Sequence, residues 1–149
     1  MDLRVARLGP GDAARVLSAA RLFDRRPDPK AARAYLAEPR NVFLLAYDGP
    51  TPIGFLRGTA LHQLETQRLQ MFLYELAVAR SCRRRGVGRA LIERLLADCR
   101  RRGFDEVFVF TSPGNRPAVG LYVATGGRTE TAADRMYVYP LRPRRSPKN

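Results

Sequence analysis

The chain has 149 residues, is 45% hydrophobic and carries a formal net charge of +13. This length and composition fit a single domain with its own core, and the absence of a long apolar run excludes a membrane-spanning helix. One histidine and two cysteines give no metal-ligand or disulfide pattern. With no apolar leader at its start, we expect a reduced, cytoplasmic protein.

The first part of the chain predicts a strand, two helices and a hairpin. The strand lies around Leu3 and Val5. Asp12 and Asp28 are predicted to begin the two helices, because aspartate favours the N-cap and a proline follows Asp28. Apolar segments at 42–47 and 52–61 flank an Asp-Gly turn and predict a β-hairpin.

The second part predicts a central strand at 71–78 and then a long amphipathic helix ending before Gly103. A nearly all-apolar strand is predicted at 106–111, followed by a short helix capped by Asn115. A closing strand is predicted at 135–139. The alternation of strands and helices indicates an α/β fold with a mixed sheet and helices on both faces.

A candidate anion site lies between the central strand and the long helix. Gly86 and Gly88 have no Cβ, so a phosphate can approach the backbone N–H groups at the helix start. The arginines at 83–85 can add charge-assisted hydrogen bonds. The pattern is neither a dinucleotide fingerprint, since Leu91 replaces the third glycine, nor a P-loop. A solvated arginine turn is the alternative interpretation.

Two motifs in the correct order resemble the GNAT N-acetyltransferases. Arg83-x-x-Gly86-x-Gly88 is similar to the family's pyrophosphate loop, and the segment from Asn115 to Tyr122 is similar to its N-x-x-A-x-x-L-Y segment. The resemblance is closest to the GNAT-type aminoglycoside 3-N-acetyltransferases. It implies a single-domain GNAT fold over residues 1–141, with a mixed, mostly antiparallel sheet of six to seven strands. The composition of residues 142–149 predicts a basic, disordered tail.

The resemblance also implies that the chain binds acetyl-coenzyme A as co-substrate, without a metal. The backbone N–H of Leu76 would polarise the thioester carbonyl. The residues expected to bind the coenzyme come from the end of the central strand, the loop and the short helix: Leu76, Ala77, Val78, Arg83, Arg84, Arg85, Gly86, Val87, Gly88, Arg89, Asn115 and Ala118.

Two residues are candidate catalytic groups. Glu75 is the one charge in an apolar strand, and it is predicted to act as a general base or to anchor the amine; the alternative is a structural ion pair with an arginine. Tyr122 is predicted to protonate the leaving thiolate; the alternative is a core tyrosine with a satisfied hydroxyl. Tyr74 is expected on the strand face opposite Glu75, packed in the core.

The first hypothesis for the acceptor is a small primary amine, such as an aminoglycoside 3-amino group, which would imply a role in antibiotic resistance; Glu75 and Asp134 are the candidate substrate-binding residues. The aminoglycoside enzymes carry more acids before the last strand and a phenylalanine where this chain has Gly127, and these differences argue against an aminoglycoside. A protein lysine or N-terminus is the second hypothesis, and a non-enzymatic nucleic-acid-binding protein is the third. The loop and Tyr122 argue against nucleic acid, and a homodimer is compatible with the resemblance.

Overall fold

The structure is a computed structural model that describes residues 1–129, 137 and 139–141. Two short 3₁₀ turns lie at 20–22 and 80–82. The longer elements are, in chain order, β1 (Leu3–Arg7), α1 (Ala13–Ser18), α2 (Pro29–Ala37), β2 (Asn41–Asp48), β3 (Thr51–His62), β4 (Leu69–Val78), α3 (Val87–Arg101), β5 (Glu106–Phe108) and α4 (Arg116–Ala124).

The described strands form one sheet in the order of the chain, β1-β2-β3-β4-β5. The first four strands pair antiparallel, and β5 pairs parallel with β4 over three residues, from Gln70 opposite Glu106 to Phe72 opposite Phe108. A parallel neighbour requires a crossover connection. Helix α3 supplies that crossover, and its N-terminus therefore follows directly from the end of β4.

Apolar side chains cover both faces of the sheet, as β2 shows most clearly. Leu44 and Ala46 lie in a core cluster with α3, while Phe43 and Leu45 lie in a second cluster with α1 and α2. Successive side chains of a strand point to opposite faces. The near-continuous apolar sequence of β2 thus reflects a strand that is buried on both sides, and the prediction of helices on both faces is confirmed.

The predicted helix ends are largely confirmed. Asp28 accepts a hydrogen bond from the N–H of Ala31 at the start of α2, and Gly103 has a φ of 71° just after α3. Asp12 does precede α1, but its carboxylate accepts from the N–H of Gly9 and not from the helix. No helix within the described ranges is long and apolar enough to cross a membrane.

The prediction of six to seven strands is wrong for the described residues, which form five. Strand β5 ends at Phe108 and not at residue 111, because its pairing with β4 stops at Phe72. The closing strand predicted at 135–139 lies outside the described residues except for Tyr137 and Tyr139. Asp134 and the predicted tail at 142–149 lie outside them as well.

A β-bulge interrupts the pairing of β3 with β4. Arg57 pairs with Glu75 but Gly58 pairs with Leu73, so Tyr74 is an extra residue in β4. Bulges bend a strand and change the direction in which its side chains point. Gly58 faces this bulge closely: a Cβ at Gly58 would lie 2.5 Å from the carbonyl oxygen of Phe72. The register of the two central strands therefore depends on a residue without a side chain.

We expect Gly58→Ala to lower the free energy of unfolding by about 1–3 kcal/mol, because the added methyl group meets backbone that cannot move aside. The matched control is Gly9→Ala, where no atom lies within 4 Å of the added Cβ. That control should leave the free energy unchanged or raise it by up to about 1 kcal/mol, through lower entropy of the unfolded chain. Urea denaturation measures both. Equal stabilities for the two variants would contradict the bulge assignment.

Candidate active site

A cleft opens where β4 and β5 part. Beyond the Phe72–Phe108 pair no strand adjoins the β5-facing edge of β4 in the described chain. Ala79 donates its N–H to Ile53 of β3. Because backbone groups alternate along a strand, the N–H groups of Leu76 and Val78 point to the opposite edge, towards the cleft. The predicted free N–H of Leu76 thus lies at an unpaired edge.

The cleft has a volume of about 1270 Å³ and is bounded by the second half of β4, the start of α3, residues 109–111 and α4. This exceeds the size of most small-ligand pockets and suits an extended ligand. Glu75 is the one carboxylate among the described lining residues, whereas four arginines line the cleft: Arg83, Arg84, Arg89 and Arg116. The cleft is therefore cationic over most of its length.

The start of α3 is an open anion-binding turn. Gly86 occupies the N-cap position with a φ of 83°, a left-handed conformation that favours glycine, and no side chain caps the helix. The first hydrogen bond of the helix runs from the N–H of Ala90 to the carbonyl of Gly86. The N–H groups of residues 87–89 therefore have no acceptor within the helix. No acidic residue lies in the first turn. Arg84 also has a positive φ, 60°, within this loop.

Gly88 lines the cleft, where its predicted contact with a phosphate stays a prediction, and it also has a packing role. It is buried, and a Cβ there would lie 2.8 Å from Cδ2 of Leu121 in α4. Its missing side chain therefore allows α3 and α4 to pack closely, which holds the two sides of the cleft together. Val87 is also buried and packs in the core below the cleft.

The predicted arginines differ in their surroundings. The guanidinium of Arg89 donates to Glu93 and to the carbonyl of Ala124, so it links α3 to the end of α4. Arg83 donates from Nε to the carbonyl of Val78 at 3.4 Å, at the junction of β4 and the loop. Arg85 is exposed and does not belong to the cleft lining.

Helix α4 places Asn115 and Tyr122 on the cleft. The side chain of Asn115 accepts from the N–H of Ala118 at 3.3 Å, so the predicted N-cap is confirmed. Tyr122 is partly buried, and this burial raises the pKa of its phenol. Its ring packs against the core cluster, as the alternative predicted, but no hydrogen bond of its hydroxyl is found among the described residues.

Glu75 forms an ion pair with Arg57, with 2.7 Å between Nε and Oε2. The side chain of Arg57 is 30% exposed and that of Glu75 is 33% exposed, so the pair faces solvent at the cleft. The Arg57 guanidinium lies 4.3 Å from the ring centre of Tyr74 and 5.7 Å from that of Tyr35. The ion pair predicted as the alternative for Glu75 is thus present, and it leaves the carboxylate at the cleft.

The prediction for Tyr74 is wrong. Its side chain is 59% exposed, and it shares the Arg57 guanidinium with Glu75, so both side chains lie on the same side of the sheet. The extra residue of the bulge removes the alternation on which the prediction depended.

Sequence reasoning also missed residues that line the cleft or adjoin it, among them Phe110, Thr111 and Arg116. It missed Arg57 as the partner of Glu75. One signal was available: Arg57 is the one charged residue of the long strand β3, as Glu75 is of β4, apart from the polar ends. Two lone charges on neighbouring strands indicate a pair. Within the described ranges no group of three or more potential metal ligands occurs.

Comparison with known proteins adds independent information. The family model described as the acetyltransferase (GNAT) family matches residues 14–126. The mouse protein N-acetyltransferase family 8 member 3 is 29% identical over 115 residues, which are 77% of this chain and 50% of the mouse protein. The chain spans about half the length of the curated relatives it matches.

Two solved structures are similar over nearly the whole chain. An aminoglycoside acetyltransferase from an uncultured soil metagenomic sample, in complex with trehalose, has a TM-score of 0.86 at 25% identity and covers 95% of this chain and 97% of its own. A second aminoglycoside acetyltransferase from such a sample has a TM-score of 0.77 at 30% identity and covers 93% of this chain and 100% of its own.

Proposed function

Because the chain belongs to the acetyltransferase (GNAT) family, we propose that it transfers an acetyl group from acetyl-coenzyme A to a small primary amine in a ternary complex. One observation carries the proposal. The unpaired edge of β4, the open N-terminus of α3 and the free hydroxyl of Tyr122 meet in a single cleft.

The cleft suits the coenzyme in charge and in hydrogen-bonding groups. The first turn of α3, with Gly86 and the side chains of Arg83 and Arg84, offers backbone donors and positive charge to a pyrophosphate. The unpaired groups of Leu76 and Val78 would pair with the amide groups of the pantetheine arm. Asn115 and Ala118 line the same cleft from the start of α4. When bound, acetyl-coenzyme A supplies the acetyl group as a thioester.

Glu75 is proposed to take a proton from the ammonium form of the amine, directly or through a water, so that the neutral nitrogen can attack the acetyl carbon. The second proton that the nitrogen loses as the amide forms passes to solvent. Its carboxylate lies at the cleft and is held by Arg57 in one orientation. A positioned base contributes typically 10²–10⁴-fold to a rate. The N–H of Leu76 is proposed to stabilise the negative charge that develops on the thioester oxygen.

Tyr122 is proposed to supply the proton that the departing sulfur needs. Its raised pKa keeps the phenol protonated at neutral pH, so the proton is present when the thiolate forms. The hydroxyl has no competing acceptor among the described residues, which supports a role in which sulfur is its partner. Solvent then returns the proton to the phenolate.

The similarity to aminoglycoside acetyltransferases supports a small-molecule acceptor in preference to a protein. We infer that the acceptor reaches the cleft on the side of Glu75 and Arg57, opposite the arginines of the loop. The proposal is tested directly by incubating the protein with acetyl-coenzyme A and a panel of primary amines and measuring free thiol release.

Acetyl-coenzyme A should raise the melting temperature of the protein by mass action, and Gly86→Asp should abolish this shift by adding bulk and negative charge at the pyrophosphate site. The matched control is Gly103→Asp at the other end of α3. Both glycines have a positive φ and no atom within 4 Å of an added Cβ, so the backbone strain is comparable.

For each variant, the melting temperature with acetyl-coenzyme A is compared with that of the same variant without it. The loss of stability caused by backbone strain then cancels. A ligand-induced shift that survives in Gly86→Asp, or that disappears equally in Gly103→Asp, would argue against the assignment of the loop.

Tyr122→Phe is expected to lower kcat by roughly 10²–10⁴-fold, because the phenyl ring cannot donate a proton. The affinity for acetyl-coenzyme A and the melting temperature should stay near those of the wild type, since the hydroxyl makes no hydrogen bond within the described structure. Steady-state kinetics and a melting curve on the same sample check both. Normal turnover with reduced stability would instead identify a packing residue.

Glu75→Gln should lower kcat/KM at neutral pH with coenzyme affinity retained, and the deficit should shrink as the pH rises, because more of the amine is then already neutral. Arg57→Met is the matched comparison, since it breaks the same ion pair but keeps the carboxylate. A purely structural pair predicts lower melting temperatures in both variants with normal turnover, and a wild-type kcat/KM for Glu75→Gln at neutral pH would remove Glu75 from the mechanism.

A further inference from the structure

The acceptor end of the cleft carries a cluster of four aromatic rings, Phe72, Tyr74, Phe108 and Phe110, which we call the aromatic platform. Phe72 and Phe108 stack with ring centres 5.1 Å apart and an interplanar angle of 8°. Tyr74 and Phe110 meet the edge of this stack, at 5.7 Å and 5.9 Å from Phe72. Three of the rings lie on the parallel neighbouring strands β4 and β5, and Phe110 follows the end of β5.

The platform lies on the face of the sheet opposite α3. Met71, Val107 and Val109 pack in the core cluster with α3, so the alternating residues Phe72 and Phe108 point to the other face. On that face α1 and α2 cover the residues of β2 and β3, and the aromatic platform is absent from the cluster they form. Tyr74 is 59% exposed and Phe110 is 61% exposed. Together with the partly buried Phe72 and Phe108 they form a contiguous apolar surface, and such surfaces occur at ligand-binding sites.

The platform is continuous with the catalytic groups. Tyr74 precedes Glu75 in β4, and the bulge brings both to the same guanidinium of Arg57. Tyr74 and Phe110 both line the cleft that contains Tyr122. A substrate whose amine reaches Glu75 would therefore place the group that carries the amine against these rings.

The charge of the described cleft disfavours an acceptor with several amino groups. Glu75 is its one carboxylate among the described lining residues, and Arg57 already neutralises that charge. The arginines of the cleft lie on the coenzyme side, so the acceptor end offers this one compensated acid among the described lining residues. The further ammonium groups of a polycation would find no carboxylate partner there, and would lie near the positive charge of Arg57.

From these observations we propose that the acceptor is a primary amine with a single positive charge, carried on an aromatic group that packs on the aromatic platform. Phe110 and Tyr74 are then residues that determine specificity. The inference rests on the proposed acetyltransferase function. It predicts that this chain prefers such an amine to aminoglycosides and polyamines.

The experiment compares phenethylamine with its saturated isostere 2-cyclohexylethylamine, with spermidine, with neamine and with a short peptide that has a free N-terminus. Thiol release with acetyl-coenzyme A gives kcat/KM for each amine. We expect the highest value for phenethylamine, about tenfold above the cyclohexyl compound, since aromatic contacts add to the effect of buried area. Spermidine, neamine and the peptide should be poorer acceptors.

Phe110→Ala should raise the KM for phenethylamine about tenfold and remove the preference over the cyclohexyl compound, with the affinity for acetyl-coenzyme A unchanged. The control is Val123→Ala, which truncates an apolar side chain of similar exposure, 64%, on α4 outside the cleft lining. This variant should keep the wild-type KM values. The melting temperature of each variant confirms that it is folded.

A preference for spermidine, neamine or the peptide overturns the inference while the acetyltransferase function stands. An unchanged KM for phenethylamine in Phe110→Ala overturns it as well. If acetyl-coenzyme A neither shifts the melting temperature nor releases thiol with any amine, the proposed function fails and the inference fails with it.

Discussion

The backbone of β4 sets the constraint on which the site depends. Buried N–H and C=O groups need partners, and β4 finds them on both edges up to Phe72 but on one edge beyond it. The N–H groups of Leu76 and Val78 are left at an open edge beside the start of α3, which has free donors of its own. A ligand with amide and phosphate groups would satisfy both sets of donors, so the backbone alone already supports the proposed coenzyme.

The bulge at Tyr74 connects this backbone arrangement with the chemistry. In an unbroken strand Tyr74 and Glu75 would face opposite sides, and one of them would be lost from the acceptor end. The extra residue lets both reach Arg57, while Leu76 and Val78 still pack on the α3 face. The same irregularity requires Gly58 opposite it. The register of β3 with β4 and the positions of Glu75 and Tyr74 therefore all depend on this one bulge.

The sequence predicts the elements well where local chemistry decides them, as at the Asp28 cap, the doubly buried β2 and the turn at Gly103. It also predicts the helix start at Gly86, which the structure has without a side-chain cap, whereas phosphate binding at this turn stays a prediction. It does not predict the bulge, since register depends on the partner strand, nor the end of β5, since that depends on where β4 diverges. The close contact between Gly88 and Leu121 was not predicted for a related reason, because the two residues are distant in sequence.

The arginines that give the chain its net charge of +13 include two groups with different surroundings. Seven arginines in the described chain form ion pairs, at positions 15, 40, 57, 68, 89, 94 and 101. Arg94 and Arg101 hold the buried carboxylate of Asp98 within α3. By contrast, Arg83, Arg84 and Arg116 line the cleft and have no carboxylate partner among the described residues. Cations left unpaired beside open backbone donors suit a ligand with several phosphates in one confined place, whereas a nucleic acid requires positive charge along an extended surface.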